Sequence, residues 1–526
     1  MTTLSTTLAK RLEDPRLFRQ YAYVNGKWTH GEGGREEAVY DPATNEAIGH
    51  IPLLEAEQIT AAVDAAEAAF VHWRALRADE RCERLLAWYD LIQANREDLA
   101  TIMTLEQGKP LPDARGEVEY GASFVRWFAE EGKRTYGETI PSHIPNASLG
   151  TIKEPVGIAA MITPWNFPLA MITRKAAAAL AAGCPVIVKP ANETPFSALA
   201  LAELAERAGI PEGIFNVVLG EPAEVSKILC SEPRIRALSF TGSTRVGRLL
   251  IEQSANTVKR LSLELGGNAP FIVGPDMDPK EAAYAAVAAK FQTAGQDCLA
   301  ANRILVHESI HDEFVAQFTE RMAALTVGNG LHGEVDLGPL IHRQAVEKAA
   351  AIVDDAISQG ATMVAGDQSQ APGDNFFMPV LLTGVTPQMK VWREENFAPV
   401  AGITAYSSDD EVIEMANDTD YGLNASVWGS DLERAQAVAA RIESGNVNVN
   451  DALATAYASK STPSGGVKQS GVGARHGDQG LLKYTDVQNL AVLKKQVLGP
   501  RPGQDYDAHV KQMLSGLRMM RRTRLR

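Results

Sequence analysis

Between residues 156 and 218, apolar runs and helical periodicities alternate in a fixed order. Residues 156–163 form an apolar run that empties into Pro164-Trp165-Asn166-Phe167-Pro168, and residues 169–182 read as a helix. A strand over 185–188, a helix over 195–208 and a strand over 215–218 follow. Short apolar runs bounded by Gly and Pro are the pattern of buried strands, whereas apolar residues three and four apart are the pattern of helices. The alternation predicts a parallel sheet with covering helices, in which ligands gather at the carboxyl ends of the strands. Upstream, Ile59, Val63, Ala66, Phe70 and Trp73 recur at helical spacing within 56–95, and a helix over 97–107 is stopped by Gly108-Lys109-Pro110. Residues 17–41 read as short strands broken at Asn25-Gly26. A second alternating region runs from 303 to about 450, and the polar stretch 137–149, with Pro141 and Pro145, has the composition of an exposed loop.

Composition narrows the class. With 526 residues, 45% of them hydrophobic, the chain can bury a large core divided among about three domain-sized units. A net charge of -14 argues against nucleic acid as a main partner, since that binding draws on a basic field. Cys82, Cys184, Cys230 and Cys298 are far apart and show no CxxC spacing, so neither a metal site nor a disulfide framework is indicated and a reducing cytoplasm fits. The most apolar run, 176–188, contains Gly183 and Pro185 and is too short to span a bilayer, so no membrane anchoring is expected.

The chemistry concentrates between Leu261 and Arg303. LSLELGGNAPFIV offers one carboxylate, Glu264, and FQTAGQDCLAANR offers one thiol, Cys298, next to the turn that Gly295 permits. Each has an inert reading, as a solvated strand residue and as a buried free cysteine, yet together they supply the nucleophile and separate base of thiol catalysis. LELGGNAPFIV followed by AGQDC, with FTGSTRVG, TPWNFP and VKPANETP in order, resembles the aldehyde dehydrogenase superfamily from about Leu17 to about Val492. LEQGKP, FAEEGKRTYGETIP and WNFPLAMITRKAAAALAAGC are most similar to its succinate-semialdehyde dehydrogenase branch.

The resemblance implies an α/β fold. A Rossmann-type cofactor domain would span 1–136 and 151–260, a catalytic domain 261–450, a small β oligomerisation arm 137–150 and 451–498, and a basic, solvated tail 499–526. It implies Cys298 as nucleophile, Glu264 as the base that activates water, and Asn166 as donor to the oxyanion, a role the WNFP match favours over merely capping the following helix. Thr163, Pro164, Trp165, Lys189, Asn192, Gly242, Ser243, Glu395 and Phe397 would hold NAD or NADP, with Lys189 at the adenosine ribose. Asn192 stands where many NAD-using relatives carry a glutamate, so the repulsion of a 2'-phosphate is removed and NADP is expected to be accepted, even preferred. Arg174, Gln292 and Ser459 would bind the substrate; Gln292 replaces an arginine of the relatives and Ser464 an aromatic. The implied reaction is oxidation of an aldehyde to an acid, with succinate semialdehyde first, then glutarate semialdehyde or an uncharged or amino-substituted aldehyde. A scaffold without catalysis is the alternative of another class. A homodimer or homotetramer is implied.

Overall fold

Five parallel strands make the centre of the first sheet, in the spatial order Phe215–Val217, Val186–Lys189, Ile158–Ile162, Ile235–Thr241 and Arg260–Glu264. The structure, a computed structural model, describes residues 10–452, 458–494, 499–500 and 503–523. From Ile158–Ile162 the chain adds strands outward on one side, then returns to build the other side from Ile235–Thr241. The crevice where direction reverses lies between those two strands, the place where open α/β sheets bind ligands. Ala22–Val24 and Lys27–Thr29 extend one edge antiparallel, and Gly471–Val472 closes the other against Leu263 and Glu264.

The covering helices follow the predicted order. Residues 56–95 form two helices, Ala56–Ala75 and Ala78–Ala94, broken at Leu76 and Arg77, whose ψ values of 143° and 154° are extended. Trp73 and Trp88 are wholly buried, and their indole N–H groups donate to the carbonyls of Leu180 and Leu201 at 3.1 Å. Such pairing removes the cost of burying the polar end of a large apolar side chain.

The second sheet has the order Thr362–Ala365, Val380–Thr383, Val400–Tyr406, Ala301–His307, Ala269–Val273, Ala425–Trp428 and Val447–Val449. All its ladders are parallel except the first. The boundary expected at residue 260 moves: Arg260–Glu264 pairs in parallel with Ala237 to Thr241 and is the last parallel strand of the first sheet. Leu263 and Glu264 are buried there, so the alternation of 261–265 belongs to an interior strand and not to a solvated face. The crossover between sheets is Gly266-Gly267.

A third sheet carries Glu138–Ile140, Ala147–Pro155 and Thr485–Leu493, and its ladder runs from Ala147↔Leu493 to Pro155↔Thr485. The expected arm boundaries are therefore corrected. Pairing continues to Pro155, while Gly471–Val472 joins the first sheet and the helix Gly477–Leu482 packs on the helix Ala170–Ala182. The solvated tail is a helix, Tyr506–Thr523, with no buried residue. Among the described residues no helix is long and apolar enough to cross a membrane.

Candidate active site

The thiol is delivered by a strained turn. The helix Pro279–Phe291 ends, and Thr293, Ala294 and Gly295 follow with φ of 51°, 54° and 73°. Two non-glycine residues in the left-handed region cost about 1–3 kcal/mol each, strain that concentrates at functional sites. At Gly295 a Cβ would lie 2.3 Å from the carbonyl oxygen of Ala398, and at Gly267 a Cβ would lie 2.1 Å from that of Cys298. The thiol loop is thus pressed between the crossover from the first sheet and the 395–398 segment of the second. Cys298 is the one cysteine with partial exposure; Cys82, Cys184 and Cys230 are buried.

Cys298 opens on a cavity of about 470 Å³ at the crevice of the first sheet. Pro164, Trp165 and Asn166 from one strand end and Thr241, Gly242 and Ser243 from the next form one wall. Gly266, Glu395 and Phe397 form another. The rings of Trp165 and Phe397 meet edge to face at 5.5 Å. The Ser243 hydroxyl caps the helix Thr244–Ser254 by accepting from the Val246 N–H at 3.3 Å, the bland role for a serine before a helix, yet that helix start faces the cavity. Thr163 lies just behind this wall, its N–H donating to the Lys189 carbonyl at 3.1 Å. The hydroxyl of Thr241 is buried with no hydrogen-bond partner among the described residues. Burial raises Glu395 to about 7, against the Gly267 N–H that donates to it at 2.9 Å. A largely apolar slot with a helix N-terminus, an orphaned hydroxyl and a carboxylate at its ends fits the nicotinamide half of a dinucleotide.

Asn166 stands beside the thiol loop: its side-chain amide donates to the Gln296 carbonyl at 3.0 Å. What fixes it was not singled out from sequence. Lys109 Nζ donates to Glu117 at 2.5 Å and to the Asn166 carbonyl at 2.8 Å, and Glu117 accepts from the N–H groups of Leu169 and Ala170 at 2.9 and 3.0 Å. Lys109 and Glu117 are each 1% exposed. A buried pair of this kind is expensive to break, because the remaining charge has no water. Lys109→Met is expected to destabilise the fold by about 3 kcal/mol, read as a lower urea midpoint, and an unchanged midpoint would contradict the role given to this pair.

Glu264 is at the carboxyl end of its strand, 2% exposed, and ion-paired with Arg475, also 2% exposed. Leu265 and Gly266 beside it line the cavity, whereas its carboxylate is turned to the guanidinium. Lys175 and Lys483 flank the pair, donating to the hydroxyls of Ser239 and Ser262 at 3.0 Å each. Burial, with Arg174 and Lys483 beside it, drives Lys175 well below the usual lysine range, and burial with Arg174 and Arg475, opposed by Glu264, brings Lys483 down to about 7. Arg475 carries no motif that would mark it in the sequence; only a ladder contact between Gly471 and Glu264 brings its loop here. Cys298 itself is pushed well above the ordinary thiol range by burial and by neighbouring Asp297, with Arg475 opposing.

The residues expected to bind substrate separate. Gln292 lines a second cavity of about 570 Å³ on the other side of the thiol loop, with Lys109, Asp113, Phe167, Asp297 and Asp451. Arg174 and Ser459 are not on either wall among the described residues. The Arg174 guanidinium is buried against the sulfur of Met171, and the Ser459 hydroxyl meets that of Thr462 at 2.8 Å. Ser464 is buried and donates to Asn446 at 3.0 Å, away from both cavities. Lys189 and Asn192 sit together at the end of the neighbouring strand, Lys189 Nζ donating to Asn192 at 2.7 Å. No cluster of metal-ligating side chains occurs among the described residues.

Residues 28–490 match the aldehyde dehydrogenase family. An aspartate-semialdehyde dehydrogenase (non-phosphorylating) of Halomonas elongata is 80% identical over 482 residues, 92% of this chain and 97% of its own. The NADP(+) succinate-semialdehyde dehydrogenase GabD of Escherichia coli is 46% identical over 92% of this chain and 99% of its own. A crystal structure of succinate-semialdehyde dehydrogenase from Burkholderia pseudomallei superposes with a TM-score of 0.90 at 47% identity, over 92% of this chain and 99% of that one.

Proposed function

The chain belongs to the aldehyde dehydrogenase family and is an NAD(P)-dependent aldehyde dehydrogenase, and on that premise we propose that it oxidises aspartate semialdehyde to aspartate. The observation that carries this substrate is the 80% identity to the Halomonas elongata enzyme, against 46% to the succinate-semialdehyde enzyme GabD. It reorders the expectation from sequence, which put succinate semialdehyde first and amino-substituted aldehydes among the alternatives. The second cavity supports the change. Gln292 offers hydrogen bonds without a second fixed positive charge, and Asp113, Asp297 and Asp451 line the same walls. A substrate bearing an ammonium beside its carboxylate suits that balance better than one bearing a carboxylate alone.

NAD(P), when bound, supplies the hydride acceptor, and the slot at Trp165 and Phe397 would hold its nicotinamide. The Cys298 thiol gives up its proton to water, its sulfur bonds to the aldehyde carbon, and once the aldehyde hydrogen has left as hydride the sulfur carries the acyl group as a thioester. Asn166 donates to the substrate oxygen while it bears negative charge. Glu264 leaves Arg475, takes a proton from water, and the water oxygen displaces the sulfur to release the acid.

Initial rates at 340 nm with aspartate, succinate and glutarate semialdehydes test the substrate. The expected kcat/KM is at least about tenfold higher for aspartate semialdehyde than for succinate semialdehyde, and Gln292→Arg narrows the gap. A ratio of one or below overturns the proposal in favour of the succinate reading, which the GabD likeness supports. The exposed apolar residues of the third sheet, Val487, Leu490 and Val492 among them, support assembly with a second copy. A monomer by sedimentation at micromolar concentration would contradict that assembly.

A further inference from the structure

In dinucleotide folds of this kind a carboxylate near the end of the second parallel strand accepts the ribose hydroxyls of the adenosine half. Here that strand is Val186–Lys189, and the residue in reach, Asn192, is neutral. A carboxylate nevertheless arrives from a distant segment. Glu37, half-buried in the strand Glu36–Tyr40, accepts a hydrogen bond from Asn192 Nδ2 at 2.6 Å. The other end of the same amide accepts from Lys189 Nζ at 2.7 Å. Lys189, Asn192 and Glu37 therefore form one continuous chain, with the amide of Asn192 committed at both ends and the anion at the far terminus.

We propose that Glu37 is the residue by which the cofactor site distinguishes NAD from NADP, accepting the ribose 2'-hydroxyl and repelling a 2'-phosphate. This rests on the reading of Lys189 as the contact to the adenosine ribose. The surroundings favour the same direction. Glu193, Glu37 and Glu221 each act electrostatically on Lys189, which burial lowers to about 8. Arg35, two residues before Glu37, is already engaged with Glu55 at 3.3 Å and Glu224 at 3.8 Å, and Glu221 acts on it as well. A dianionic phosphate held by Lys189 would thus add to the negative charge that Glu37, Glu193 and Glu221 already direct at that lysine. Use of NAD(P) stands; Glu37 adds a preference for NAD within it, a preference that Asn192 alone does not reveal.

The test is calorimetric binding of 5'-AMP and of adenosine 2',5'-bisphosphate to the full chain and to Glu37→Gln, Glu193→Gln and Lys189→Met, beside kcat/KM for NAD and NADP. The wild-type protein is expected to bind 5'-AMP more tightly. Glu37→Gln is expected to tighten the bisphosphate by about tenfold and to raise kcat/KM for NADP in step, while 5'-AMP is held or weakened. Glu193→Gln is expected to move the ratio less. An unchanged ratio in Glu37→Gln, or an equal change in Glu193→Gln, overturns the proposal while a loss of both nucleotides in Lys189→Met keeps the ribose reading. If neither nucleotide responds to Lys189→Met, the ribose reading and the proposal fall together. Glu37→Asp, which withdraws the carboxylate by one methylene, repeats the test should Glu37→Gln fold poorly.

Discussion

Replacing Cys298 with Ala lowers aldehyde turnover by on the order of 10⁴-fold or more, with the fold retained. In the proposed mechanism the sulfur bonds to the aldehyde carbon, and none of the other three cysteines can take its place, since each is buried elsewhere. The loss should appear in kcat/KM and in the first turnover alike, because no acyl enzyme forms. The same residue predicts a pH dependence in the protein without cofactor. Burial and Asp297 raise the thiol above its ordinary range, so the thiolate is scarce near neutrality and grows as pH rises through the raised value. Alkylation of Cys298 by iodoacetamide is expected to accelerate steadily from pH 7 past pH 9. A flat profile from pH 6 upward would mean that the thiol is already ionised, against the electrostatics of this site.

Glu264→Gln separates the two halves of the reaction. The amide keeps the shape of the carboxylate and cannot take a proton from water, so release of the acyl group slows by roughly 10²- to 10⁴-fold. Formation of NAD(P)H in the first turnover is expected to persist as a burst of about one equivalent per active site, followed by a slow steady rate. The substitution also removes the carboxylate paired with the buried Arg475 guanidinium, which is expected to cost about 3 kcal/mol of stability. The burst is therefore counted against folded sites, titrated by reaction of Cys298 with an alkylating probe. Equal loss of burst and steady rate would show that Glu264 serves the attack of the thiol instead of the release of the acid.

The strands and helices that build the crevice were legible because each is a local pattern. An apolar strand run empties into Pro164-Trp165-Asn166, while Gly242-Ser243 is marked by FTGSTRVG, and both segments reach the cavity. Gly267 and Gly295 were legible as turns, although the close contacts that demand glycine there come from chain segments that no local pattern connects. The crossover was misplaced because Arg260–Glu264 reads equally well as the end of one sheet or the start of another, and only its parallel ladder decides. The partners that hold the functional groups were least legible. Arg475 is 211 positions from Glu264, by subtraction of the residue numbers of the pair, and Glu37 is 155 positions from Asn192. Lys109 sits in a segment that the sequence marks as a helix stop and as part of LEQGKP, with no role for the lysine itself, yet it carries the buried pair beneath Asn166. Periodicity reports which face of an element is buried, and carries no information on which charge from a remote element meets it there.

In the proposed reaction one sulfur, set at the mouth of the cofactor crevice, carries the acyl group until Glu264 activates water. Glu264→Gln mixed with NAD and aspartate semialdehyde, acid-quenched within the burst and digested, tests it by mass spectrometry. An acyl adduct is expected on the peptide that contains Cys298, in an amount equal to the NADH of the burst and absent when NAD is omitted. A burst of NADH with that peptide unmodified, or with the adduct on another residue, would contradict it.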